Sequence, residues 1–128
     1  MEYLFLLGRV LLGGYFVLNG INHFKNLNNL TGYAQMKGVP MPKEAVLLTG
    51  LMLLLGGLGV LLGVYVEISV LLLALFMLVT TFKMHQYWKV TDAGMKMGEE
   101  INFKKNLALL GALLMLLAIP LPWMFTLF

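Results

Sequence analysis

A few polar side chains in this sequence lie within or beside strongly apolar runs, and they are the first candidates for a functional site. They comprise an arginine, a glutamate, two histidines and two asparagines: Arg9, Asn19, His23, Glu67, His85 and Asn106. Such groups are costly at membrane depth, and they usually face the interior of a helix bundle or a binding cavity. We therefore take these six residues as candidate ligand-binding residues.

The two histidines could have any of three roles. Histidines on facing helices could ligate a b-type haem or a metal ion. We disfavour ligation because His23 and His85 fall at helix C-terminal ends, where the helix dipole favours the protonated ring that cannot ligate. They could instead be ordinary interface histidines, or they could form a polar pocket that hydrogen-bonds the head group of a ligand. No metal site or haem is therefore predicted, and no catalytic motif is recognisable.

Helical spacing groups several of these residues into stripes. At ~100° per residue, one face of the first apolar helix carries a charge near one end and a histidine near the other: Arg9, Gly13, Phe16, Gly20 and His23. The third apolar run repeats this arrangement: Glu67, Ala74, Leu78, Thr81 and His85. Arg9 and Glu67 could pair, or Arg9 could snorkel while Glu67 favours a helix N-terminus. The sequence leaves both open.

Composition places these residues in a membrane protein. Of the 128 residues, 60% are hydrophobic and only 12% are charged, so a soluble domain of this size could not cover its surface with polar groups. The absence of cysteine excludes thiol chemistry and Cys-ligated iron–sulfur or zinc sites within the chain. The net charge of +3 comes from lysines beside the apolar runs, which favours a topology signal over nucleic-acid binding.

Four apolar segments predict an all-α, polytopic membrane protein with one domain over residues 1–128. A spanning helix needs roughly 20 apolar residues, and the predicted spans are 3–24, 43–62, 67–88 and 103–120. We expect the first span to be retained, because no basic leader or small-residue cleavage site accompanies it. The connections predict a short interfacial helix over 30–37, a tight hairpin over 63–66 and a mixed-charge loop over 90–102.

The lysines predict the orientation of this four-transmembrane-helix bundle. Every lysine lies in or beside the first or third connection. The positive-inside rule places those connections in the cytoplasm and both termini outside, on the same side of the membrane.

Several short blocks of the sequence resemble a known family. They are Leu7-Gly8-Arg9, Asn19-Gly20, His23-Phe24-Lys25, His85-x-x-Trp88 and the block over residues 102–111. Together they resemble the DoxX family over nearly the whole chain. The resemblance implies a compact four-helix bundle in the plasma (inner) membrane, in a redox context. One departure matters: many members carry a glutamate in the second span, whereas residues 48–52 contain no acid.

The resemblance implies an integral membrane subunit or accessory of a quinone-linked redox system. Its quinone would bind near the cytoplasmic face, and the candidate polar contacts are Asn19, His23, His85 and Asn106, with Arg9 further out along the same stripe. Its partner would be another membrane or membrane-associated redox protein, because the chain has no electron carrier of its own. The alternative is a non-catalytic membrane assembly factor, chaperone or scaffold. A small transporter is disfavoured, since no helix is obviously broken at mid-membrane. Whether the chain also forms homo-oligomers stays open.

Overall fold

Helices account for all the regular secondary structure in the part of the chain that the structure, a computed structural model, describes, which is residues 1–123. The five α-helices are α1 (Glu2–Lys25), α2 (Leu27–Met36), α3 (Pro42–Leu62), α4 (Val66–Met84) and α5 (Ala93–Leu116), and a short 3-10 helix (Tyr87–Lys89) lies between α4 and α5. Three stretches are long and apolar enough to cross a membrane: Glu2–Lys25, Pro42–Leu62 and Val66–Lys89. The all-helical prediction is thereby confirmed.

Local sequence signals explain where the first helices end. Gly38 follows α2 with a φ of 76° and Gly63 caps α3 with a φ of 72°, both in the left-handed region that glycine enters without steric cost. Pro42 begins α3, where a missing backbone N–H costs nothing. The helix predicted over 30–37 is present as α2, with its start three residues earlier, and the tight hairpin before α4 is also present.

The region after α4 differs from the prediction. The sequence predicts a loop over 90–102 and a span over 103–120, but α5 begins at Ala93 and ends at Leu116. Asp92 explains the early start, because its carboxylate accepts a hydrogen bond from the Met95 backbone N–H at 3.0 Å and caps the first turn. An ion pair between Glu100 and Lys104, one turn apart, adds to the same helix.

The backbones of α1 and α3 touch. A Cβ atom added to Gly13 would lie 2.9 Å from the carbonyl oxygen of Gly57, and one added to Gly20 would lie 2.8 Å from the backbone nitrogen of Leu54. Real Cβ atoms do not approach backbone this closely, so these positions admit only glycine without a shift. Such close packing suits a membrane helix pair, because lipid removes the hydrophobic drive and leaves dispersion contacts to hold helices together.

Four of the five residues predicted to share one face of α1 are buried, whereas the buried face of α4 is not the one that the sequence predicts. Arg9, Gly13, Phe16 and Gly20 are the buried residues of α1. In α4, Ala74 and Thr81 are buried, but Glu67 and Leu78 are exposed. The α4 core face is centred instead on Val66, Val70, Leu73 and Met77, which pack against α3.

Helix α5 runs antiparallel to α4. Phe103 packs against Phe82 at the C-terminal end of α4, with ring centroids 5.2 Å apart. Leu116 lies beside Val66 at the opposite end of α4. The chain then brings Trp123 to Phe5 near the start of α1, at a ring distance of 5.1 Å.

The glycine contact yields a stability prediction. Gly13→Ala should lower the free energy of unfolding by about 1–3 kcal/mol, the usual cost of overpacking, because the methyl group would meet the α3 backbone. Gly14→Ala is the matched control, since a Cβ there has nothing within 4 Å. Unfolding would be measured in detergent micelles. Equal stability of the two variants would contradict the backbone contact.

Candidate functional site

Arg9 caps the last turn of α3 and lies outside the lining of the cavity described below. Its side chain is buried and donates hydrogen bonds to the carbonyl oxygens of Val60 at 3.3 Å and Leu61 at 3.1 Å, in the last turn of α3. Those carbonyls have no partner within the helix, so a guanidinium placed there satisfies them and complements the helix dipole. The rings of Phe5 and Trp123 lie 5.8 and 5.4 Å from the guanidinium carbon.

Glu67 lies at the same end of the molecule but does not complete a charged pair. Its side chain is exposed at the start of α4. Among residues 1–123, no ion pair involves Glu67. Over these residues the structure therefore shows Glu67 as an exposed carboxylate at a helix N-terminus, whereas Arg9 neither pairs with it nor snorkels but is buried against α3.

His23 lies at the other end of α1 and is fixed by α3. Its Nδ1 is 3.0 Å from the Val46 carbonyl oxygen and 3.2 Å from the Thr49 hydroxyl. The edge of its ring packs against Phe76 of α4, with centroids 6.0 Å apart. The ring is thus held in one orientation by contacts from two helices.

His85 belongs to a polar network that joins three helices. It caps the C-terminus of α4, and its Nδ1 lies 3.0 Å from the Glu99 carboxylate of α5. The Tyr33 hydroxyl of α2 donates to the other oxygen of that carboxylate at 2.8 Å. The ammonium group of Lys37, the residue that follows α2, lies 3.6 Å from the Glu99 oxygen that faces His85.

Both histidines line one cavity. Its volume is about 250 Å³, and α1, α2, α3 and α4 form its walls. Most of the lining is apolar carbon, contributed by side chains such as Leu30, Ala45, Val46 and Phe76. The helical arrangement therefore places two histidines that are far apart in the sequence, His23 and His85, on the lining of one cavity.

The asparagine candidates lie outside this cavity lining. Asn106 is buried in α5, and Asn19 is half-buried in α1. Sequence reasoning missed three residues at the site, which are Tyr33, Thr49 and Glu99. Tyr33 gave a weak signal, since it shares one face of the predicted interfacial helix with Lys37. Glu99 gave none, because it falls in the stretch that the sequence predicts as a loop.

The network shifts two pKa values. Burial alone would raise the pKa of Glu99, but hydrogen bonds from His85 and Tyr33, with the charges of His85 and Lys37, outweigh it and lower that pKa. Burial raises the pKa of the Tyr33 phenol well above its usual range, and the hydrogen bond to the Glu99 carboxylate adds to this effect. Glu99 is therefore an ionised acceptor at neutral pH, and Tyr33 is a neutral donor.

Comparison with known proteins decides the family. The DoxX family model matches residues 4–86. The chain belongs to the DoxX family. The matched region includes His23 and His85, but it ends before the 102–111 block that the sequence also suggested as DoxX-like. No curated protein and no solved structure matches the chain. Family membership and the apolar helices together indicate that this DoxX protein is a multi-pass membrane protein.

Within residues 1–123, no group of three or more His, Cys, Asp or Glu side chains is arranged to hold a metal ion. The imidazole rings that line the cavity offer hydrogen bonding and proton exchange.

The Glu99 network yields a pH-dependent prediction. Glu99→Gln should lower the free energy of unfolding by about 1.5–3 kcal/mol near neutral pH, the usual value for hydrogen bonds to a charged group. Because folding lowers the pKa of Glu99, its contribution is fully present above its usual value of 4.5 and is lost as the pH falls through the lower folded value. The difference between wild type and variant should therefore stay constant from about pH 7 to about pH 5 and shrink as the pH falls further.

The adjacent glutamate provides the control. Glu100→Gln removes only a surface pair with Lys104 and should change stability by no more than about 0.5 kcal/mol. Ultraviolet titration should also show that Glu99→Gln lowers the pKa of Tyr33. Identical stability profiles for the two variants would contradict the role of Glu99.

Proposed function

We propose that this DoxX protein is an integral membrane subunit or accessory of a quinone-linked redox system, and that it holds a quinone in the cavity between His23 and His85. One observation carries the proposal: two histidines from separate helices line the same apolar cavity. A quinone head group is a flat, largely apolar ring with polar oxygens. Such a ligand requires an apolar wall with a small number of precisely placed polar groups.

The cavity size supports a head-group site. Pockets that enclose a drug-sized ligand usually measure about 300–1,000 Å³, and this one is about 250 Å³. It therefore suits a ring and the beginning of a tail, while the rest of a lipid tail would lie along the bundle. The many exposed leucines on the outer helix faces provide an apolar path for such a tail.

The electrons must come from outside this chain. Redox reactions in proteins depend on cofactors, and the protein supplies binding, orientation and electrostatics. With no cysteine in the sequence, a sulfur-based carrier is absent. The proposed partner is accordingly a second membrane or membrane-associated redox protein that exchanges electrons with the bound quinone.

We further propose that α5 provides a fourth membrane crossing and that the chain lies in the plasma membrane. Two features support four spans with both ends outside: α5 runs antiparallel to α4, and Trp123 contacts Phe5 near the start of α1. The lysine distribution supports a cytoplasmic location for the end that bears the cavity. The Glu99 network would then lie at the cytoplasmic surface.

Cysteine mapping tests this topology. The natural chain contains no cysteine, so single substitutions need no altered background. Lys96→Cys should react with a membrane-impermeant maleimide only after the membrane is opened, whereas Tyr65→Cys should react in intact cells. Labelling of both positions from the same side would contradict the proposed orientation.

A cavity-filling substitution tests ligand binding. Ala45→Phe, at the cavity wall, should reduce quinone recovered with the purified protein by about tenfold or more, because the ring would occupy the head-group space. Ala108→Phe is the control, since Ala108 is exposed on α5. Quinone would be quantified by mass spectrometry of lipid extracts from protein purified in nanodiscs.

The result also separates the two candidate functions. Equal quinone recovery from wild type and Ala45→Phe would contradict the cavity as the site. Absence of quinone from a stable wild-type sample, together with one stoichiometric partner protein, would favour an assembly factor or scaffold. A Soret band in the same sample would indicate haem and make the two histidines its first ligands to examine.

A further inference from the structure

Both cavity histidines use the same ring nitrogen to bind the protein. His23 and His85 each direct Nδ1 to a protein oxygen, at 3.0 Å in both cases. Within residues 1–123, the Nε2 atom of neither ring has a protein partner among the hydrogen bonds of the side chains. The chemistry that the rings offer to a ligand therefore depends on whether Nε2 carries a proton.

The neighbours of His23 settle where its proton lies. The Val46 carbonyl oxygen is an acceptor only. The Thr49 hydroxyl donates its own proton to the Ala45 carbonyl oxygen at 2.7 Å, so it can only accept from the ring. With two acceptors against Nδ1, the neutral ring carries its proton there. Nε2 is then a hydrogen-bond acceptor.

The same reasoning holds for His85. Its Nδ1 faces the Glu99 carboxylate. That carboxylate also accepts a hydrogen bond from Tyr33 and forms an ion pair with Lys37. An ionised carboxylate has no proton to donate, so Nδ1 must donate. The neutral His85 ring therefore also leaves Nε2 as an acceptor.

Two hydroxyl groups that line the cavity already donate their protons to acceptors in the protein. Tyr33 donates to Glu99 and Thr49 donates to Ala45. The remaining donors among the lining residues belong to Thr80 and Lys83 of α4. Neither residue is hydrogen-bonded to an imidazole ring, so the two Nε2 acceptors have no donor from residues 1–123.

We infer that, when both imidazole rings are neutral, this cavity is selective for the reduced, dihydroxy-aromatic form of its ligand, whose hydroxyl protons are donated to Nε2 of His23 and His85. This inference rests on the proposed function and extends it. An oxidised quinone has only acceptor oxygens, which would face acceptor nitrogens at both rings and bind through Thr80 or Lys83 alone. The quinol adds the two complementary hydrogen bonds, so both forms bind and the reduced form binds more tightly.

Three matched probes test the selectivity with the wild-type protein in nanodiscs. Durohydroquinone has two hydroxyl donors, its dimethyl ether has the same ring without donors, and duroquinone is the oxidised form. Under anaerobic conditions, durohydroquinone should bind about tenfold more tightly than either of the others. Tenfold corresponds to 1.4 kcal/mol, which two net hydrogen bonds of about 0.5–1.5 kcal/mol each supply.

Substitutions at the histidines assign the effect. Asparagine places its amide where Nδ1 lies and removes Nε2, so His23→Asn and His85→Asn keep the donor to the protein and lose the acceptor. Each should reduce the preference for durohydroquinone several-fold, while thermal unfolding in detergent checks that the fold persists. His23→Gln places a carbonyl oxygen near the position of Nε2, and it should retain more of the preference than His23→Asn.

Nitrogen-15 NMR examines the tautomers without any ligand. The chain has only two histidines, so the ring signals of a histidine-labelled sample are few. At a pH at which both rings are neutral, each should show a protonated Nδ1 and an unprotonated Nε2. A protonated Nε2 in either ring would overturn the inference.

The binding outcomes separate this inference from the proposed function. Equal binding of all three probes, or tighter binding of duroquinone, would overturn the selectivity while leaving a quinone-binding cavity. Binding of none of them would overturn the proposed function as well. A tenfold preference that is unchanged in both asparagine variants would also contradict the inference, because the donors would then be recognised elsewhere.

Discussion

The close approach of the α1 and α3 backbones is the constraint on which the rest of the structure depends. Glycine at the contact positions fixes not only the distance between the helices but also their antiparallel register. Partners on α3 run steadily backwards along the contact, from the Arg9 carbonyl contacts through the Gly13 and Gly20 contacts to Val46 beside His23. A shift of one turn would remove the cap from α3 and the anchor from His23 together.

Buried polar groups stabilise the two ends of the bundle, beyond the glycine contacts. In a lipid environment an unsatisfied polar group is expensive, so each buried one needs a partner. Arg9 meets this need at one end of the bundle, where it satisfies carbonyls that α3 leaves open. Glu99 does so at the other end, where it collects Tyr33, Lys37 and His85 from two helices. The polar groups at the two ends thus have different roles: Arg9 caps a helix, and Glu99 orients a histidine that lines the cavity.

The sequence was sufficient to predict features that follow from helical periodicity. It was insufficient for features that depend on contacts between residues far apart in the sequence. The ~100° rotation per residue identifies the buried face of α1, because this rotation is a property of one helix and needs no knowledge of distant contacts. It misses the face of α4, where uniformly apolar residues give little phase signal and Glu67 proves to be exposed. The mixed charges of residues 90–102 resemble a loop, although Asp92 caps a helix there. The partnership of Glu99 with Tyr33 spans 66 positions, which no local pattern reveals.

The two properties of the cavity come from different parts of the chain. Its walls and both imidazole rings lie within residues 4–86, the region that matches the DoxX family model. The carboxylate that orients His85 lies beyond that region, at Glu99. His23, in contrast, is oriented by Val46 and Thr49 from inside it. A change in the α5 segment can therefore alter the hydrogen-bonding character of His85 while leaving the shape of the cavity and the character of His23 intact, so ligand fit and ligand preference are separable within one bundle.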